Sequence, residues 1–105
     1  MRPDSFKRTT GEAAPPEKLS PALAALWWAA KGDWDRAHKL VQDDPSREAA
    51  WVHAHLHRVE GDLDNARYWY RRAGRPAASD AIEREWESIA AALSSAKSST
   101  ERGGE

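Results

Sequence analysis

The sequence predicts an all-α protein of two antiparallel helical hairpins followed by a C-terminal capping helix, which makes five helices. Three features lead to this prediction. The pattern Gly-Asp-x-Asp-x-Ala occurs at residues 32–37 and again at 61–66, an offset of 29 residues that is typical of helical repeats. Apolar residues on both sides of each copy recur at the i, i+3, i+4, i+7 spacing of an amphipathic helix. Within each copy, glycine can end one helix and aspartate can cap the next.

The first hairpin is predicted between Ser20 and about Asp43. Ser20 followed by Pro21 is typical of a helix start, because serine caps free backbone amides and proline fits the first turn. Gly32 and Asp33 then separate two helices. The apolar stripe of the first helix is Leu23, Leu26, Trp27 and Ala30, and that of the second is Trp34, Ala37, Leu40 and Val41.

The second hairpin repeats this arrangement. Asp44 and Pro45 predict its start, Gly61 and Asp62 its turn, and Gly74 its end. The stripes of its two helices are Ala49, Val52, Leu56 and Val59, and then Leu63, Ala66, Tyr70 and Ala73. A fifth helix is predicted to open near residue 80 and to cap the fold. Its stripe is Ile82, Trp86, Ile89 and Leu93.

The domain boundaries are predicted from composition. Residues 1–19 and 94–105 carry charges, prolines, serines and glycines without apolar periodicity, and such segments cannot repay the entropy of ordering. We therefore expect a disordered N-terminal arm at 1–19, a helical domain at 20–93 and a disordered C-terminal tail at 94–105. A core of that size is marginal, and the chain has no cysteine for a disulfide. Its six tryptophans are expected to supply the missing buried area.

Charge and hydropathy argue against two classes of partner. The formal net charge of −1 gives no broad basic footprint for nucleic acid or an anionic membrane. The longest apolar run, residues 21–30, is about half the length that crosses a bilayer. The chain also opens without the pattern of a secretory signal. We expect a cytoplasmic protein with no nucleic-acid partner and no membrane partner.

Residues 47–75 resemble a tetratricopeptide repeat. That family has a Gly-Asp turn followed by an apolar residue, an acidic residue, a small alanine, an aromatic residue and a second alanine. The residues in those places are Gly61, Asp62, Leu63, Asp64, Ala66, Tyr70 and Ala73. Ala54 and Pro76 also fall where the family has a small residue and an inter-repeat proline. The resemblance extends to the related Sel1-like class.

The resemblance implies a non-enzymatic module that binds a protein or peptide on the concave surface of the first helices of its repeats. On this alignment Trp51, His55 and Arg58 would line the groove. The lysine and asparagine set with which some members hold a C-terminal carboxylate is not recognisable here. Because tryptophans are in surplus, a homodimer is an alternative.

Three histidines alternate along the third predicted helix. His53 and His57 are four residues apart, so their rings share a face and could bind one metal ion. A third ligand would have to come from Glu60, His38 or an aspartate. The alternative, which the sequence favours, is that these imidazoles lie at a helix interface and bond to a hydroxyl, carboxylate or backbone group. We therefore expect neither a metal nor another cofactor.

Arginines at 67, 71, 72 and 75 surround Tyr68, Trp69 and Tyr70 in the next helix. This composition can stack on bases or clamp phosphates. Cations near a helix end also offset the helix dipole, and the acidic start of the fifth helix is available to pair with them. Tyr68, Arg71 and Arg72 offer a flat face to a partner.

The functional hypothesis is a small protein- or peptide-binding adaptor of unknown partner. No nucleophile elbow, Gly-rich phosphate loop or His-Glu-x-x-His pattern is present, so we predict no catalytic residue and no enzyme. The alternative is a small-ligand or metal-binding protein, which could also be catalytic, with its site around His53, His57 and Arg58. The predicted binding residues are Trp51, His53, His55, His57, Arg58, Tyr68, Arg71 and Arg72.

Overall fold

A computed structural model describes residues 3–16 and 18–103, with side chains described for residues 5–16 and 18–94. In this part of the chain every regular element is a helix, which confirms the all-α prediction. The described residues form six helices, whereas the sequence predicted five. They are α1 (Pro3–Thr9), α2 (Pro21–Ala30), α3 (Trp34–Val41), α4 (Arg47–Glu60), α5 (Leu63–Ala73) and α6 (Ile82–Gly103). No helix among these residues combines the length and apolar character that a membrane crossing requires.

The two Gly-Asp turns have the backbone that their residues predict. Gly32 and Gly61 have φ angles of 81° and 90°, in the left-handed region that glycine enters without steric cost. Asp33 accepts a hydrogen bond from the backbone N–H of the residue three positions later, at 3.1 Å, and Asp62 does the same at 3.2 Å. Each phrase therefore ends one helix and starts the next.

Helix α4 begins two residues later than Asp44 and Pro45 predicted. Its cap is Ser46, whose hydroxyl accepts the backbone N–H of Ala49 at 3.1 Å. The Asp44 carboxylate instead accepts the backbone N–H of Ser46 at 2.9 Å, which organises the turn before the helix. The prediction was wrong because two capping residues stand close together and only the second reaches the first turn.

Helix α4 is the central element of the fold. It contacts α2, α3, α5 and α6, and residues 51–57 are all buried. A surface helix buries one stripe, whereas this helix buries side chains on all sides for two turns. Its three histidines therefore lie in the interior, although their alternation along the sequence would place some of them on an exposed face.

Helix α1 lies in the segment for which the sequence predicted a disordered arm. Phe6 is fully buried and stacks on Trp86 of α6, with ring centroids 5.8 Å apart. The Thr9 hydroxyl accepts a hydrogen bond from Nε1 of Trp27 at 3.1 Å. The prediction missed this helix because its seven residues carry a single large apolar side chain, which produces no periodic stripe.

Helix α6 also extends beyond the predicted end of the domain. Leu93 is its last predicted stripe residue, yet the helix continues to Gly103 through the segment predicted to be a disordered tail. Alanine and lysine in this stretch favour helix without forming an apolar stripe. The side chains of residues 95–103, and residues 104–105 of the predicted tail, lie outside the described part.

Replacing Phe6 by alanine tests whether α1 belongs to the folded core. We expect Phe6→Ala to lower the free energy of unfolding by up to about 3 kcal/mol, because it removes a buried aromatic side chain. Arg8→Ala on the exposed side of the same helix is the matched control and should change stability little. Chemical denaturation monitored by far-UV circular dichroism measures both. Equal stability of the two variants would mean that the N-terminal segment does not dock.

Candidate functional site

The three histidines of α4 divide between two environments. His53 and His57 face α3 and α5, where their rings meet His38 and Trp69. His55 points to the other side, where its ring nitrogen lies 2.8 Å from a carboxylate oxygen of Glu85 in α6. This division follows from the helical period, since residues four apart share a face and the residue between them does not.

His38, His53 and His57 converge into one cluster. One ring nitrogen from each lies within 4.8 Å of the other two. The ring centroids are 4.7 Å apart for His38 and His53, 4.8 Å for His53 and His57, and 5.5 Å for His38 and His57. His53 and His57 are 3% and 6% exposed, whereas His38 is partly exposed. The cluster is therefore buried on the α4 side and reaches solvent at α3.

Two tryptophans stack on rings of the cluster, one from α3 and one from α5. Trp34 stacks on His38 with centroids 4.7 Å apart, one helical turn earlier in α3, and its Nε1 donates to the backbone carbonyl of Leu56 at 2.7 Å. Trp69 of α5 stacks on His53 with centroids 3.9 Å apart and an interplanar angle of 17°. The His38 and His53 rings thus pack between flat aromatic walls that restrict their rotation.

The hydrogen bonds of the cluster are unevenly distributed. Nδ1 of His57 lies 2.7 Å from a carboxylate oxygen of Glu60. Since a carboxylate accepts, Nδ1 carries the proton, and Nε2 is the ring nitrogen left for another partner. Nδ1 of His53 is buried and has no hydrogen-bond partner among the described residues. An unpartnered buried polar atom costs about 1 to 3 kcal/mol, so this ring is poorly satisfied within the chain.

Burial favours the neutral form of His53 and His38. Burial, followed by the neighbouring His38 and His57, lowers the pKa of His53 to about 4. Burial also lowers the pKa of His38, with His57 as the next contribution. Two of the three imidazoles are therefore unprotonated at neutral pH, and an unprotonated ring is the form that binds metal ions.

On the opposite side of α4, Glu85 joins three helices through a buried network. Its carboxylate bonds to His55, to the Arg58 guanidinium at 3.1 Å and to the hydroxyl of Tyr70 in α5. Burial alone would raise the pKa of Glu85, but the bonds from His55, Tyr70 and Arg58 outweigh it and lower the pKa. Burial raises the pKa of Tyr70, and its bond to Glu85 adds to the rise. His55, Arg58 and Tyr70 thus all use the Glu85 carboxylate as a hydrogen-bond partner.

The residues predicted to line a groove are buried or bonded in this part of the structure. Trp51 and His55 are buried, and Arg58 is bonded to α6 and to the carbonyl of Asp80 before it. The guanidinium of Arg75 also lies 3.8 Å from the ring centroid of Trp51. Helix α6 packs on α2 and α4, the first helices of the two pairs. Trp51, His55 and Arg58 therefore do not share one groove. Trp51 borders surface cavities together with Arg75, and His55 borders a different one together with Trp86.

The predicted face on α5 is exposed. Tyr68 is 45% exposed, and the guanidinium of Arg72 lies 5.8 Å from its ring centroid and 5.3 Å from that of Trp69. Arg71 is exposed beside them. These arginines were expected to pair with the acidic start of the last helix. In the described ion pairs, Arg58 pairs with Asp80 and Glu85 there instead. Arg67 pairs with Asp64 within α5.

Sequence reasoning named His53 and His57 but missed how the cluster is completed. His38 was only one of several candidates for a third ligand. Trp34 was assigned to an apolar stripe, and Trp69 to the arginine-rich segment of the next hairpin. The sequence spacing contained part of this information, because Trp34 and His38 are one helical turn apart and share a face of α3. The rest depends on the angles at which α3 and α5 pack on α4, which the sequence pattern does not contain.

The chain matches no protein-family model, and no curated protein or solved structure is significantly similar to it.

The pH dependence of stability tests the burial of neutral His53. Unfolded His53 binds a proton below about pH 6.5, whereas the folded form binds it only below about 4. The unfolded state therefore holds more protons between these values, and stability falls as pH falls from 6.5 to 4, by roughly 3 kcal/mol from this residue. His53→Phe keeps the stack on Trp69 but should lose less stability over this range.

The measurement is urea denaturation in the presence of a chelator at several pH values. The contribution of His38 remains in both proteins and cancels in the comparison. Identical pH profiles for the two proteins would contradict the assignment.

Proposed function

We propose that this protein binds one divalent transition-metal ion through His38, His53 and His57. The observation that carries the proposal is the convergence of three ring nitrogens from two helices to within 4.8 Å of one another. Imidazole nitrogens bound to zinc in a tetrahedral arrangement lie roughly 3.3 Å apart, given bond lengths of about 2.0 to 2.1 Å. Binding therefore brings the three nitrogens to that separation from within 4.8 Å of one another.

The donor set selects a class of metal. All three donors are imidazoles, and the chain has no cysteine to offer a thiolate. Imidazole suits zinc, copper(II), nickel and cobalt, whereas calcium and magnesium require oxygen ligands. The pKa of His53 is about 4, so its ring is neutral at pH 7 and metal binding displaces no proton from it.

The surroundings of the cluster support the same function. A histidine that binds a metal through one nitrogen usually donates its other N–H to a carboxylate, and the contact of Glu60 with His57 has this form. The ring of His53 lacks a partner for a buried nitrogen. A bound ion would be the partner that this ring lacks. The stacked tryptophans hold the rings in place before an ion arrives.

Metal titration of tag-free protein tests the proposal. We expect one zinc ion per chain, a raised melting temperature, and affinity lowered at least about 100-fold by His38→Gln and about 10- to 100-fold by Glu60→Gln. Lys39→Gln, at the exposed neighbouring position, is the matched control and should bind as the unchanged protein does. Calorimetry and elemental analysis after dialysis provide the readouts. Substoichiometric metal, or equal affinity of His38→Gln, would contradict the proposal.

A second candidate function is binding of an acidic protein or peptide on the outer face of α5. The supporting observation is an exposed tyrosine with a stacked arginine beside it, since tyrosine and arginine are enriched among residues that dominate interfaces. The cationic side chains Arg71 and Arg72 would complement negative charge. This face is the part of the predicted binding surface that remains accessible.

Affinity capture with matched variants tests the second candidate. A partner retained by the unchanged protein should be lost with Arg71→Ala or Arg72→Ala while the melting temperature stays the same. Arg84→Ala, at an exposed position of α6, is the control and should retain the partner. Retention by all variants, or loss that accompanies unfolding, would remove the α5 face as a binding surface.

A further inference from the structure

The histidine cluster supplies three donors where a transition-metal ion takes at least four. In the part of the chain that the structure describes, no fourth histidine, aspartate or glutamate has a donor atom within 4.8 Å of all three ring nitrogens. Zinc with three protein ligands is characteristic of sites that keep one position for water or substrate, whereas closed structural sites have four protein ligands. The donor count therefore places this cluster with the open sites.

Asp35, one turn before His38, has no donor atom within 4.8 Å of all three ring nitrogens. Two other carboxylates close to the cluster are already occupied. Glu60 and Asp62 form a separate group with His57. Glu60 bonds to Nδ1 of His57, and Asp62 accepts the backbone N–H of Asn65 as the cap of α5. Moving either carboxylate to an ion would break an interaction that orients His57 or starts a helix. The fourth position is therefore left to a molecule from solvent.

Access and charge define what this molecule can be. The cluster reaches solvent at His38, while His53 and His57 are buried. Three neutral imidazoles leave the double positive charge of the ion uncompensated by its protein ligands, which favours an anionic donor. The rings of Trp34 and Trp69 flank the cluster and restrict the room beside it.

We infer that the bound ion keeps one exchangeable coordination position, open at the α3 edge, which takes water or a small anion. This inference rests on the proposed metal binding and deepens it, because it separates a reactive or ligand-binding centre from a structural one. The anion binds by replacing the solvent molecule on the ion, so no covalent bond of the protein changes. The ligand class is small inorganic or carboxylate anions with one donor atom for the metal.

Cobalt(II) substitution of the full chain, followed by titration with azide, tests this inference. Cobalt(II) accepts the same imidazole ligands as zinc, and its visible absorption bands report its coordination. We expect azide to change the position and intensity of these bands and to saturate at one azide per cobalt, with the metal still bound. Arg84→Gln, on the exposed side of α6, is the control and should respond equally.

The outcomes separate this inference from the function on which it rests. Stoichiometric cobalt with a spectrum that azide leaves unchanged would overturn the open position while leaving metal binding intact. Azide that strips cobalt from the protein would also overturn it, because the anion then competes with the histidines rather than joining them. A failure to bind cobalt or zinc at all would remove the proposed function, and the inference with it.

Discussion

Burial of α4 on all sides is the constraint on which the rest of the structure depends. Seven successive residues, 51–57, are withdrawn from solvent, and three of them are histidines. A buried polar group is costly unless another group bonds to it, so the fold must provide a partner for each imidazole. Glu85 bonds to His55, and Glu60 bonds to His57. Nδ1 of His53 has no such partner among the described residues, and this difference sets His53 apart.

The two carboxylates give the two sides of α4 different roles. Glu85 bonds to groups on α4 and α5 from its place in α6, so it fixes the last helix against the central one. That contact lies where the resemblance stated from the sequence predicted a peptide-binding groove. Glu60 belongs to α4 itself and orients a ring without closing the cluster. The polar groups on the α6 side of α4 are therefore bonded to one another. The unpartnered nitrogen of His53 lies on the side that faces α3 and α5.

Local signals in the sequence predicted the local structure well. The Gly-Asp pairs and the caps at Ser20, Asp33 and Asp62 act within one turn of chain, and the helices they predict are present. Phe6 escaped prediction because one aromatic residue makes no periodicity, although it fills a gap beside Trp86. His38 joins the cluster only through the packing of α3 on α4. The acidic start of the last helix was expected to pair with the arginines of α5, yet Glu85 bonds to His55 and Arg58 of α4. Both errors arise because contacts between helices depend on packing angles that local patterns do not carry.

X-ray absorption spectroscopy of the zinc-loaded full chain tests the central claim most directly, because it counts the imidazoles bound to the ion. Convergence of His38, His53 and His57 predicts three imidazole nitrogens at about 2.0 to 2.1 Å and one further light atom from solvent. The scattering from the outer atoms of the imidazole rings distinguishes histidine from oxygen ligands. A spectrum with only one imidazole, or with a shell of oxygen atoms alone, would contradict the account of this cluster as a shared metal site.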